Sequence, residues 1–155
     1  MARFWPNNPE WIDSRTYDPK TGKVFLNVHT WIVLHEDEII LINTGARNDK
    51  DRPHLKVLDD LHHPYLKRLE SVGVVPEKVD YILLIHLHAD HVGWNMRLDS
   101  KNWVPTFPNA TVICSDMEWQ YGAALARGDE AALPLHQKSR WFRISYTASC
   151  IGCFC

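Results

Sequence analysis

Four side chains able to bind metal ions fall within six positions: His86, His88, Asp90 and His91. An extended segment sends residues i and i+2 to the same side, so His86 and His88 can converge on one ion. If the chain then turns, the adjacent Asp90 and His91 can face a neighbouring ion. Imidazole together with carboxylate suits zinc and similar borderline metals. A bound ion lowers the pKa of coordinated water from about 15.7 to about 7, and two ions roughly 3.5–4 Å apart can hold one hydroxide and polarise a carbonyl or phosphoryl oxygen. Asp90 can also orient that hydroxide, which makes it the candidate catalytic residue. The plainer reading, histidines in a polar surface loop, would suit one His at a strand end. Three His and an Asp in six positions argue against it.

The flanking elements fit such a turn. Tyr81 to Ile85 is a continuous apolar run after a helix-like stretch, which predicts a strand covered on both faces. Ligand sites in α/β sheets lie at the carboxyl ends of strands, where this turn sits. Gly93, just beyond, would let another backbone pass close to it. Upstream, Val24 to Leu34 and Ile39 to Ile42 read as two strands joined by the acidic turn Glu36-Asp37-Glu38. Asn43-Thr44-Gly45 ends the second of them in a turn. Pro53 to His63 is charged and partly helical. Pro64 to Val72 reads as a helix with Leu66 and Leu69 inward, closed by Gly73. Downstream, a connector holding Trp103, Pro105 and Pro108 leads to a short strand, Ala110 to Cys114. Ser115-Asp116-Met117-Glu118 is a capping box that starts a helix towards Gly128. Strands alternating with helices indicate an α/β architecture.

Composition sets the outer bounds. The 155 residues suffice for one domain with a core. The chain is 45% hydrophobic and 23% charged with a net charge of -2, so no basic surface for nucleic acid is implied. Its apolar runs are too short to span a membrane, and the start has no apolar stretch like a signal peptide. The expected setting is cytoplasmic, with a small-molecule substrate as partner. Cys114 reads as a buried small hydrophobe. Cys150, Cys153 and Cys155 crowd the end, where a single C-x-x-C pair has no redox fold around it. His62 and His63 read as solvated, and His29 and His35 as structural. Trp94 is a candidate wall of a substrate pocket.

His86-Leu87-His88-Ala89-Asp90-His91 resembles the HxHxDH signature of the metallo-β-lactamase-fold hydrolases. Gly73 to Asp80 before the strand, Val92-Gly93-Trp94-Asn95 after the turn, Phe107 to Thr111 and Ser115 to Trp119 agree with that family. The resemblance is closest to its lactonase-like and organophosphate-hydrolase-like members. It covers about Gly22 to Gly128, and implies an αββα sandwich with two zinc-type ions, iron or manganese being alternatives. It also implies hydrolysis of an ester, lactone or related bond. By the family pattern His86 and His88 serve the first metal, and Asp90 and His91 the second.

Three departures accompany the resemblance. Asn43-Thr44-Gly45 stands where the family usually has Asp-Thr-Gly, so support beside the metals is expected to be weaker. Ile85 stands where Thr is common. The family also supplies another His, a bridging Asp and a last His from its second half, and this chain carries no match to them. His136 is the only later His, and its surroundings do not resemble the missing motif. The expectation is therefore a sandwich truncated to about its N-terminal half. An arm over 1–21 would precede the family-like part, 22–128. A divergent tail over 129–155 would follow, its last stretch a product of frameshift, aberrant splicing or a premature stop. Four motif ligands fall short of the three that a catalytic zinc normally takes for each ion. The alternatives are an inactive fragment that binds metal weakly and an iron-dependent oxygenase of the same superfamily. An exposed apolar face and open sheet edges would favour self-association.

Overall fold

The computed structural model describes residues 16–18, 20–25, 27–53 and 55–126, and the backbone of 141–144. The calls on the first fifteen residues, on His54 and His136, and on the cysteine-rich end lie outside the described residues.

Its centre is a five-stranded mixed sheet in the order β3-β4-β5-β8-β9, formed by Trp31–His35, Glu38–Ile42, Tyr81–Leu83, Thr111–Ser115 and Trp141–Ile144. The first two pair antiparallel, Trp31 opposite Ile42 and His35 opposite Glu38. Glu36 turns the corner at a φ of 52°. Next come two parallel pairings, β4 with β5 and β5 with β8, and β9 closes the described edge antiparallel to β8. Parallel neighbours need long crossovers. The first carries helix α1, Tyr65–Ser71. The second carries the metal turn, the single-turn helix α2 (Ala89–Val92) and a hairpin of β6 (Met96–Asp99) with β7 (Asn102–Pro105). Helix α3, Asp116–Ala126, follows β8.

Alternation along the strands decides where the core lies. Leu41, Ile82, Val112 and Cys114 share one sheet face, and each is 0% exposed. Leu69 of α1, Phe107, Val74 and Val79 join the same cluster. Residues one step out of phase point the other way: Trp31 is 61% and Val33 40% exposed, while Ile40, Ile42, Tyr81 and Leu83 are half-buried. The strand expected to be covered on both faces is thus sealed on one face and half-covered on the other by the described residues. These residues supply this one large sheet and two small hairpins.

The strand expected over Val24 to Leu34 forms only at its ends, at Val24 and from Trp31, and other stretches also differ from their expected form. The connector around Trp103 is the β6–β7 hairpin, turned by Ser100 and Lys101 at φ of 47° and 79°. Two consecutive positive φ values give the right-twisted turn that hairpins favour, without the Asn-Gly pair that usually marks it. The end of the expected irregular arm holds strand β1 (Tyr17–Asp18), which pairs with β2 (Lys23–Val24) just beyond it. The Asp18 carboxylate accepts from Thr21 Oγ1 at 2.7 Å and Lys20 N at 2.9 Å, bonds that fold this short turn and lower its pKa. No helix among the described residues is long and apolar enough to cross a membrane.

Candidate metal centre

The sequence run to Ile85 predicts two more residues of strand than form, and the reason lies in two side chains. After Leu84, whose N still donates to Ile113 O at 2.8 Å, the ladder gives way to side-chain acceptors. Asn43 Oδ1 accepts from Ile85 N at 3.1 Å, and Glu118 Oε2 accepts from Leu87 N at 3.0 Å. These bonds hold the backbone on either side of His86 while it leaves the sheet. His91 N and Val92 N then donate to His88 O, at 2.9 and 3.2 Å, and wind the single turn of α2. That turn swings His91 back over His86.

His86, Asp90 and His91 converge as a result: each offers one ligand atom, and these atoms lie within 4.8 Å of one another. The rings of His86 and His91 are 3.8 Å apart between centroids. His91 Nε2 lies 3.4 Å from Asp90 Oδ2. His88 is next to this group, its ring 4.6 Å from that of His86 and nearly perpendicular to it, but it is not one of the three convergent ligands. The family pattern pairs His86 with His88; the geometry brings His86 nearest the Asp90–His91 pair.

The donor set fits a metal ion. His91 Nδ1 is buried and has no hydrogen-bond partner among the described residues, a costly state for a polar nitrogen unless another group takes its lone pair. Burial first, then His86, hold the His91 imidazole below its ordinary pKa, with Asp90 opposing. A neutral imidazole is the form that binds metals. All three ligand residues are half-buried, which leaves the group open to solvent on one side.

Behind the ligands the chain is pinned. Thr44 N donates to His91 O at 2.6 Å, and Thr44 Oγ1 donates to Asn95 Oδ1 at 2.9 Å. Gly93 N donates to Gly45 O at 2.8 Å. A Cβ on Gly93 would collide with Arg47 N and lie 2.5 Å from Gly45 O and 2.8 Å from Ala46 C. The close approach expected at Gly93 is therefore made by the Asn43 to Arg47 turn. Asn43 and Gly45 take positive φ there, 58° and 63°. Trp94 Nε1 donates to Ala46 O at 2.9 Å, and the Trp94 ring stacks on Tyr65 at 4.9 Å. Arg47, 2% exposed, places its guanidinium 3.8 Å from the Trp103 ring centroid.

Glu118, Thr44, Asn95 and Arg47 were not singled out by residue type. Glu118 belongs to the capping box, and its backbone N does donate to Ser115 Oγ at 3.1 Å. Its carboxylate reaches Leu87 instead of closing the box, and no local pattern signals that. His62 meets Asp60 at 3.1 Å, with both side chains solvated as expected. Cys114 is fully buried, and burial, with Glu118 and Asp116 next, pushes its thiol up to about 11.

A cleft of about 240 Å³ opens beside the group, lined by Asp90, His91, Asn43 and Ile85 and, across from them, Asn27, His29 and Trp31. His29 packs edge-on against Trp31 with centroids 5.0 Å apart.

A family model of the metallo-beta-lactamase superfamily matches residues 24–142. The hydrolase AbOPH of the beta-lactamase superfamily is 34% identical over 76% of this chain and 35% of its own, with a TM-score of 0.53. A probable metal-dependent hydrolase from Staphylococcus aureus is 22% identical over 76% of this chain and 43% of its own, with a TM-score of 0.59. AidC, a dizinc quorum-quenching lactonase solved with the product N-hexnoyl-L-homoserine, is 27% identical over 60% of this chain and 28% of its own, with a TM-score of 0.46. The chain thus spans less than half the length of each of these structures.

Proposed function

Because the chain belongs to the metallo-beta-lactamase superfamily, we propose that its His86–His91 turn is the first ligand set of a dinuclear, zinc-type centre for hydrolysing an ester, lactone or related bond of a small molecule. The α/β fold is that of the superfamily. The observation that carries the proposal is the convergence of His86, Asp90 and His91 to within 4.8 Å at the carboxyl end of β5.

His86 and His91 would hold metal through their imidazole nitrogens, with Asp90 and His88 completing the set. Such ions, when bound, supply a water acidic enough to act as nucleophile near neutral pH and a Lewis acid for the substrate oxygen. The chain's own residues do the rest. Asp90 accepts and orients a proton of the attacking water. Asn43 and Glu118 hold the backbone at Ile85 and Leu87, so His86 does not drift. Thr44 holds the carbonyl of His91. Trp31, His29 and Ile85 wall the cleft in which the scissile bond would sit.

The ligand count favours a second reading: a chain that binds metal without turnover. Four motif ligands are fewer than the roughly six that two catalytic zinc ions require at three each. Metal analysis and turnover separate the two. The full chain is purified with zinc, metal per chain is measured, and lactone and ester hydrolysis are compared with those of His86→Ala and His88→Ala. Bound metal with hydrolysis abolished in His86→Ala supports the hydrolase. Bound metal with no hydrolysis above buffer supports the binding-only reading. No metal retained by the wild type overturns both.

A further inference from the structure

Among the described residues the central sheet ends on β3, whose outer side has no strand beside it. An open edge invites another strand, and folded proteins usually blunt it with a charge, a proline or a bulge. The β6–β7 hairpin is blunted in this way, with Arg97 and Asp99 on one strand and Pro105 on the other. β3 has no such device. Its five residues, Trp-Ile-Val-Leu-His, hold no lysine, acid or proline and pair with β4 without a bulge. Trp31, Val33 and Leu34 are 61%, 40% and 68% exposed.

The hairpin register shows which backbone groups this edge offers. Glu36 and Asp37 form a two-residue loop closed by the pair His35–Glu38. Such a closing pair exchanges both of its hydrogen bonds, and bonded pairs then alternate with non-bonded ones. Val33–Ile40 and Trp31–Ile42 are therefore bonded pairs, and Ile32–Leu41 and Leu34–Ile39 are not. Ile32 and Leu34 thus turn their N–H and C=O groups away from β4, towards the open edge.

We propose that β3 pairs antiparallel with β3 of a second copy of this chain, about a twofold axis through Val33. A twofold contact needs a surface that fits itself, and this strand does. Ile32 lies opposite the partner's Leu34, and each donates to and accepts from the other. Centring the axis on Ile32 or Leu34 instead would pair one of them with Thr30 or Glu36, outside the strand. On the core side of the sheet, exposed Leu34 meets the partner's Ile32 and leaves water. On the other side Val33 meets its own copy and Trp31 meets the partner's His35. Beyond the strand, Glu36 and Asp37 come opposite the partner's Thr30 and the partner's His29, so no acid faces an acid. The pairing places the partner's His35 beside Trp31, a wall of the metal cleft, and stands whether or not that centre turns over.

Sedimentation velocity of the full chain over a range of concentrations tests this. EDTA and a thiol reductant are present, so that neither a shared metal ion nor the cysteines near the end of the chain link two copies. The wild type is expected to be a dimer at micromolar concentration. Val33→Lys and Val33→Glu each set like charges against each other on the axis, and each should weaken self-association at least about tenfold. Mixed one to one, the two variants bring opposite charges together and should dimerise again, which misfolded chains would not do. A wild type that stays monomeric at sub-millimolar concentration overturns the proposal. So do variants that each dimerise as well as the wild type, or monomeric variants whose mixture does not pair. A series of masses beyond the dimer, the sign of open-ended pairing through a different edge, overturns it as well.

Discussion

The two sides of the metal turn are built differently. Its back, from Val92 to Met96, is buried throughout and locked to the Asn43 to Arg47 turn by backbone contacts too close for any side chain at Gly93. Its front is open: His86, Asp90 and His91 are half-buried and His88 is exposed, and the ligand atoms make few bonds with one another. Rigidity lies behind the ligands and coordinating capacity in front. That is the division a preorganised metal site needs, because ligands held by their surroundings lose little freedom when the ion arrives. Mutations behind should therefore act on both stability and metal binding, and mutations in front on metal binding alone.

Gly93→Ala should break the contrast most severely. Its Cβ would meet the backbone at Arg47, Gly45 and Ala46, which cannot swing away as a side chain can. Overpacking of this kind costs about 1–3 kcal/mol and sometimes more, and the upper end is expected here. The readouts are a lowered midpoint in urea and loss of bound metal. Unchanged stability would mean that the two turns do not lock.

His86→Ala is the complementary test in front. It should abolish metal retention while moving the urea midpoint of the metal-free chain by less than about 0.5 kcal/mol, as a change at a half-buried position with no structural bond does. His88→Ala should lower metal retention less, because His88 is outside the convergent group. Equal losses from both variants would favour the family pairing of His86 with His88.

Thr44→Val should have an intermediate effect. It removes the donor to Asn95 Oδ1 inside a fully buried pair. A buried acceptor left unpaired costs about 1–3 kcal/mol. Metal affinity should fall with it, since the same hydroxyl also donates to His91 O at 3.1 Å. A stability change without any change in metal binding would detach this support from the site.

Much of this was legible in the sequence, for physical reasons that differ by residue. The apolar run at Tyr81, the spacing of the ligands and Gly93 are local signals, and the strand, the turn and the close backbone contact all appear. The β6–β7 hairpin escaped because Ser100 and Lys101 adopt positive φ without the residue types that prefer it. Glu118 and Thr44 escaped for another reason. Their partners, Leu87 and Asn95, are 31 and 51 positions away, and only the assembled sheet brings them together. The same holds for Arg47, whose burial against Trp103 depends on a hairpin the sequence reads as a connector.

Asn43 sharpens the comparison most finely, because it belongs to both sides. Its backbone starts the locked turn, and its side chain reaches Ile85 beside the ligands. The family's usual residue here is Asp, and the substitution was expected to weaken support. The structure shows what Asn43 keeps: the acceptor for Ile85 N is Oδ1, and Asn and Asp both have it. The left-handed backbone at φ 58° also suits either residue. Asn43→Asp should therefore leave the fold intact. It would turn a neutral hydrogen bond into a charge-assisted one, a gain of less than about 1 kcal/mol at a part-buried site. It would also add a negative charge to the wall of the metal cleft, which favours a cation. The expected result is metal binding tightened by less than tenfold and a midpoint changed by no more than the error of the titration. A hundredfold gain would mean that Asn43 does more than hold a backbone amide, and that the carboxylate itself belongs among the ligands.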